Sequence, residues 1–288
     1  LRFDGDWAAL DASTSSQNSG LFAIDGQDSA GRVHSIVFDH LTILRATDAG
    51  ADMWGDINNV TIQWCLIANS LHPITISFSD STQSRDNISI HHNVFSGNSE
   101  RNPQVRGTVT NFDFRNNIVH EWAMFPFGYG IRFLDRNGVY PTYINLVKNF
   151  FRSTNFPQNA VIQGQNPGDA PDPFPGNIYM EGNDLPPENV DNTGNSTEAP
   201  VPLSNQVTEF EVDQLGTMML PHVGTHYRTA EEDAIFAAIA ALLPAPSGTD
   251  TDGDGMNDDV DTDDDNDGTP DVSDAFPLDA SEDTDTDG

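Results

Sequence analysis

Two stretches of the chain share one alternation of apolar and polar residues. Asn87-Ile-Ser-Ile-His-His-Asn93 and Asn111-Phe-Asp-Phe-Arg-Asn-Asn117 each begin on Asn, alternate, and end on Asn. A period of two predicts strands. The pattern recurs at 35–41, 59–65, 143–149 and 177–183, with last positions Leu41, Cys65, Asn93, Asn117, Asn149 and Asn183, at intervals of 24, 28, 24, 32 and 34 residues. Strand repeats at this period predict a parallel β-helix or a related solenoid, an all-β fold in which each turn stacks like residues on like. A β-sandwich with accidental spacing is the competing architecture. Asn at a repeated corner can bond the Asn of the next coil and tolerates the left-handed bend. Cys65 at that corner is expected to be a small buried apolar residue.

The longer intervals mark insertions at 123–142, with its Phe125-Pro-Phe127 run, and at 158–175. Residues 186–202 read as linker. One short C-terminal helix is expected, with Thr229 as N-cap, Glu232 completing a capping box, and Ile235, Ile239 and Leu242 on one face. The domain reading is a β-helix over residues 1–185, a linker and helix packing on it over 186–248, and an acidic tail over 249–288. Leu1-Arg2-Phe3 reads as the middle of a strand, so the chain is expected to be a piece of a longer protein.

Charge then narrows the partners. The chain carries 45 acidic residues against 12 basic ones, and 17 of the acids lie from Asp250 onward, where there is no Lys or Arg. The remaining body is itself acidic, which argues against a nucleic-acid partner. A single cysteine excludes an internal disulfide, and no apolar run is long enough for a membrane span.

In the tail, Asp250, Asp252 and Asp254 alternate before Gly255 and Asp258, and Asp263, Asp265 and Asp267 before Gly268 and Asp271. Alternating carboxylates with a turn-making Gly are how short loops wrap Ca²⁺; a solvated acidic linker is the other reading. The tail resembles thrombospondin type 3 repeats, which implies a calcium-stiffened stalk.

In the body, Arg101 and Arg106 flank Pro103 and suit a polyanion, because Arg recognises carboxylates bidentately. They can equally be structural partners of Glu100 or Asp113. Asp48 and Asp52, four apart before the 59–65 strand, are candidate hard-cation ligands. His91 and His92 are read as structural, since neighbours on a strand face opposite ways. For Trp54, Trp122, Phe125, Phe127 and Tyr129 the choice between sugar stacking and local packing stays open.

His91-His92-Asn-Val-Phe-Ser-Gly-Asn-Ser-Glu-Arg101-Asn-Pro-Gln-Val-Arg106, followed by Phe114-Arg-Asn-Asn117, resembles the pectate lyases of polysaccharide lyase family 1, as do Phe38-Asp39-His40 and Val60-Thr61-Ile62-Gln63-Trp64. The resemblance covers about residues 1–149. It implies a right-handed parallel β-helix fold and calcium-assisted β-elimination of polygalacturonate or pectin by a secreted enzyme, taken to be a monomer. It makes Arg101 the base, Arg106 a substrate-binding residue, and Asp48 and Asp52 calcium ligands. Two departures stand out. The family's further calcium carboxylates fall near Asn18 and Gly20, of which only Asn18 offers a side-chain oxygen. Where the family has a substrate-binding lysine this chain has His72. These departures leave open a different uronate-containing polysaccharide, or a non-catalytic carbohydrate-binding β-helix. A hydrolase would need paired carboxylates across the bond, and none cluster beside Arg101 in the sequence.

Overall fold

The computed structural model describes residues 1–4, 21–26, 33–77, 83–122, 128–134, 141–154, 161–163, 177–186, 207–254, 256–258 and 261–281. Asn18, Gly20, Phe125 and Phe127 lie outside them, as do most of the 158–175 insertion and the linker.

The described chain winds six times through three parallel sheets. The first coil holds β1 (Arg2–Asp4), β2 (Phe22–Gly26) and β3 (Val33–Asp39). The second holds β4 (Thr42–Leu44), β5 (Ala49–Gly55) and β6 (Ile57–Gln63), and the third β7 (Leu66–Ala68), β8 (His72–Ser77) and β9 (Arg85–His91). Next come β10 (Val94–Ser96), β11 (Gln104–Arg106) and β12 (Val109–Arg115), then β13 (Ile118–His120), β14 (Ile131–Leu134) and β15 (Thr142–Val147). The sixth holds β16 (Phe150–Arg152), β17 (Ile162–Gln163) and β18 (Ile178–Glu181). Every third strand pairs in parallel, so the expected β-solenoid is the observed fold.

Stacking in register explains why the alternation repeats. Ile36, Val60, Ile88, Phe112, Ile144 and Ile178 form one inward column, and Phe38, Ile62, Ile90, Phe114, Leu146 and Met180 the next. A polar residue in such a column would face the core, and one does. Arg85 stands between Ile57 and Val109 and is fully buried. Its guanidinium donates to the carbonyls of Gly55, Ser77, Gln83 and Thr108, tying successive coils together.

The asparagine corner is realised as a ladder. The backbone N–H of Cys65, Asn93, Asn117 and Asn149 each donates to the side-chain oxygen of the next coil's Asn, at 2.9, 3.0, 2.9 and 3.0 Å. The left-handed bend falls one residue earlier than expected, at His40, Trp64, His92, Asn116, Lys148 and Gly182. The ladder Asn thereby keeps its amide aimed along the solenoid axis. A second left-handed column, Ser35, Asn59, Asn87, Asn111 and Tyr143, occupies the first position of the expected repeat. Cys65 is fully buried, and desolvation pushes its thiol up to about 12.

From β4 onward, the three-residue strands of the first sheet carry apolar residues on both faces. The outer face, with Leu44, Leu66, Ala68, Val94, Ile118 and Phe150, is covered by the C-terminal segment through Leu215, Met219, Leu220, Val223, Phe236 and Ile239. Helix α1 (Ala230–Ala240) has the expected capping box between Thr229 and Glu232. Its buried stripe is Glu232, Phe236 and Ile239, while Leu242 is exposed; Glu232 is drawn inward because it pairs with Arg2. Among the described residues no helix is long and apolar enough to cross a membrane.

Candidate functional site

The second sheet carries the site on its outer face. One column runs Ala23, Asp52, Thr75, Gln104, Arg132, each residue in register with the next. Two residues further along each strand, Trp54 pairs with Ser77, and Arg106 with Leu134. The turn entering this sheet stacks Asp48, His72 and the Glu100–Arg101 pair: His72 N–H donates to Asp48 O, and Ile74 N–H to Arg101 O. Arg101 takes a left-handed φ of 62°, which swings its side chain back over the preceding coil. There its Nη1 donates to Thr75 Oγ1 at 3.1 Å.

Asp48, His72 and Glu100 form an acid–imidazole–acid ladder across three coils. Nδ1 of His72 is 2.9 Å from Asp48 Oδ1, and Nε2 is 3.0 Å from Glu100 Oε1. Burial pulls His72 down, but the bonds to the two carboxylates outweigh it and the net shift is upward. The bond to His72 holds Asp48 below its ordinary value. Asp52, half-buried, is shifted the other way by desolvation and by the charge of Asp48. Two neighbouring carboxylates, one of them desolvated, are what a hard divalent cation would relieve, so the pair fits one.

On the far side, Tyr129 is buried and donates its hydroxyl to Gln104 Oε1 at 3.0 Å, while the Arg132 guanidinium lies 4.7 Å from the centre of its ring. Arg132 thus adds a third guanidinium to a face that already carries Arg101 and Arg106. Of the aromatic candidates, Trp122 is packed in the core, Tyr129 is buried against Gln104 and Arg132, and Trp54 stands half-buried on the outer face.

Sequence reasoning missed Thr75, Gln104 and Arg132. They lie 18, 13 and 17 residues before the corner residues Asn93, Asn117 and Asn149. Unequal turn lengths hide the column from any fixed spacing. His91 and His92 lie away from this face. The left-handed bend at His92 brings their Nδ1 atoms to 2.8 Å, so adjacent residues do meet here. His92 stacks on Trp64 at 4.5 Å, a packing role.

The tail brings together two groups of three carboxylates, Asp250, Asp252, Asp254 and Asp263, Asp265, Asp267, whose oxygens lie within 4.8 Å of one another. Buried oxygens Asp252 Oδ2, Asp263 Oδ1 and Asp265 Oδ2 have no hydrogen-bond partner. Asp265 is shifted upward by desolvation and by neighbouring carboxylates. Orphaned oxygens converging in this way fit Ca²⁺. Asp258 and Asp271 stand outside both groups; they accept from the N–H of Thr251 and Asp264 and so close each loop.

No protein-family model matches the chain. A probable pectate lyase C of Aspergillus fumigatus is 29% identical over 130 residues, 44% of this chain and 29% of that protein. Its namesake from Neosartorya fischeri is 31% identical over 130 residues, 44% and 29% of the two chains, and that of Aspergillus terreus 30% over 119 residues, 41% and 26%. The chain resembles pectate lyases. It spans less than a third of the length of these relatives. Among solved structures, pectate lyase Bsp165PelA from Bacillus sp. N165, in complex with trigalacturonate, superposes with a TM-score of 0.51. It is 16% identical, and the match covers 70% of this chain and 61% of that one. At that identity the likeness speaks for the fold: both are parallel β-solenoids.

Proposed function

We propose that this chain carries the active face of a secreted pectate lyase-like enzyme that cleaves polygalacturonate or pectin by β-elimination. The observation that supports it most is the convergence of Arg101, Arg106 and Arg132 with Asp48 and Asp52 on one outer sheet face of an otherwise acidic solenoid. A uronan presents a carboxylate on every sugar, and guanidinium groups spaced along successive coils match such a repeating anion. Strands stack at about 4.8 Å, comparable to the length of one glycosyl unit.

In this reading Arg106 grips the uronate carboxylate and His72 supports that pole. Arg101, in its neutral form, takes the C5 proton, the C4–O4 bond breaks, O4 takes a proton from water and leaves as the hydroxyl of the departing sugar, and a C4–C5 double bond forms in the new non-reducing end. Asp48 and Asp52, with Asn18 as a further oxygen donor, would hold Ca²⁺. Held there, the ion would supply positive charge to the substrate carboxylate, which would acidify the neighbouring C–H. Thr75 fixes Arg101 over the coil on which Asp52 pairs, keeping the base and the cation site together. Asp250, Asp252 and Asp254, with Asp258, and Asp263, Asp265 and Asp267, with Asp271, would hold structural calcium in a thrombospondin type 3-like stalk. The polysaccharide is the partner, and the chain acts as a monomer.

The test is absorbance by the unsaturated product on polygalacturonate, with and without chelator. Chelator-sensitive absorbance supports the reading. Substrate binding without any new absorbance would make the chain a carbohydrate-binding solenoid instead.

A further inference from the structure

Among the described residues, Glu100 meets both His72 and Arg101, on which elimination would depend. Its backbone N–H donates to Leu71 O at 3.2 Å, which sets its side chain beside His72 on the preceding coil. Oε1 then lies 3.0 Å from His72 Nε2 and 3.5 Å from Arg101 Nε, the second an ion-pair contact longer than a hydrogen bond. Burial raises the carboxyl's affinity for its proton, but the bond to His72 outweighs that and keeps it below its ordinary value, so it stays an anion.

The consequence concerns the Arg101 guanidinium. Its Nη1 is tied to Thr75, and its Nε edge faces Glu100. A free arginine samples many rotamers, and two fixed points on different coils remove most of that freedom before substrate arrives. His72 is likewise fixed from both sides, since a carboxylate stands at each ring nitrogen.

We propose that Glu100 is a positioning residue. One carboxylate oxygen orients the Arg101 guanidinium on the outer face and holds His72 beside it. This rests on the reading of Arg101 as the base. Glu100 touches neither substrate nor reacting atoms; it acts through Arg101 and His72.

The experiment uses the full chain with Glu100→Ala and Glu100→Gln, polygalacturonate as substrate, and hydrogen exchange of the Arg101 Nε–H followed by NMR. Glu100→Ala is expected to lower kcat by about 10²-fold, the cost of a small misplacement, with KM within about twofold and an unchanged thermal midpoint. Glu100→Gln keeps an acceptor oxygen and is expected to recover most of that loss. The Arg101 Nε–H exchanges faster in the alanine variant. An unchanged kcat in Glu100→Ala overturns the proposal, as does a glutamine variant as impaired as the alanine one. If the wild-type chain itself produced no unsaturated product, the elimination reading would fail. The exchange measurement would still decide whether Glu100 orients Arg101, unchanged exchange in the alanine variant counting against it.

Discussion

Nη1 of Arg101 reaches across one coil to Oγ1 of Thr75, 3.1 Å away, and Thr75 itself sits between Asp52 and Gln104 in the outer column of the second sheet. The proposed base and the proposed calcium-binding pair are thereby held on one sheet face, the arrangement that proximity catalysis would need. Arg101→Ala should therefore remove unsaturated product to the limit of detection while leaving the circular dichroism spectrum unchanged. Turnover close to wild type would show that the base lies elsewhere.

Arg106 leaves the same face two residues beyond Gln104 and would serve recognition. Arg106→Ala should raise KM and lower kcat together, by about 1.5–3 kcal/mol in kcat/KM, the range for a charge-assisted hydrogen bond. A fall in kcat alone, as large as that of Arg101→Ala, would assign both arginines to the chemical step.

The contrast between these residues and the column around them shows what the sequence reveals. Arg101 and Arg106 sit on one short segment, so their relation is visible along the chain. Cys65, Asn93, Asn117 and Asn149 are visible because the corner repeats without insertion in the strand leading to it. Thr75, Gln104 and Arg132 are brought together only by register between strands, after turns of different length. His72 could be placed opposite the family's lysine by alignment. Its capture by Asp48 and Glu100 depends on three coils at once, which no local pattern encodes. The helix shows the same limit in miniature: its cap was legible from Thr229 and Glu232, but its buried stripe depends on partners far away in sequence, Arg2 for Glu232 and the apolar face of the first sheet for Phe236 and Ile239.

The ladder predicts where the solenoid is least tolerant. Asn117 is fully buried and donates to Ile90 O and Arg115 O while accepting from the Asn93 backbone. Asn117→Ala strands all of these groups and should cost about 3–5 kcal/mol in urea unfolding. Asn183→Ala, on the last described coil, leaves fewer groups orphaned and should cost less. Equal losses at the two positions would show that the ladder is not the source of the stability.

Acid should weaken the fold through the histidine pair at the corner. Desolvation holds His91 down to about 4 and His92 to about 3, and each lowers the other's tolerance of charge across a 2.8 Å contact. Unfolded histidine protonates near 6.5, so between pH 6.5 and about 4 the unfolded chain binds more protons. Stability from this pair is therefore fully present above pH 6.5 and is lost as pH falls, on the order of 3 kcal/mol for the two, which cannot charge independently. The thermal midpoint measured from pH 7 to pH 4.5 should drop, and His91→Gln with His92→Phe should flatten the drop. A wild-type profile already flat over that window would contradict the argument.

The two candidate calcium populations should separate by their response to substrate and to mutation. In the groove only Asp48 and Asp52 of the proposed calcium ligands lie among the described residues, and Asp48 already serves His72, so affinity there should be low until a uronate carboxylate completes the shell. In the tail, three carboxylates converge twice, with buried oxygens left unpartnered and charges that repel one another without a cation. Calcium should order that segment outright. Replacing Asp263, Asp265 and Asp267 by Asn in the full chain should abolish the tight calorimetric phase and much of the calcium-induced protection from proteolysis beyond Ser247. Calcium-dependent turnover should remain, with an unchanged half-saturating calcium concentration. Deleting the chain after Ser247 should give the same division. The strand-bearing body is closed by the C-terminal helix before that point, and Ser247 is held by its backbone N–H on Asp213. Loss of calcium-dependent turnover in the Asn variant, with Asp48 and Asp52 intact, would mean that the tail, rather than the groove, supplies the ion on which activity depends.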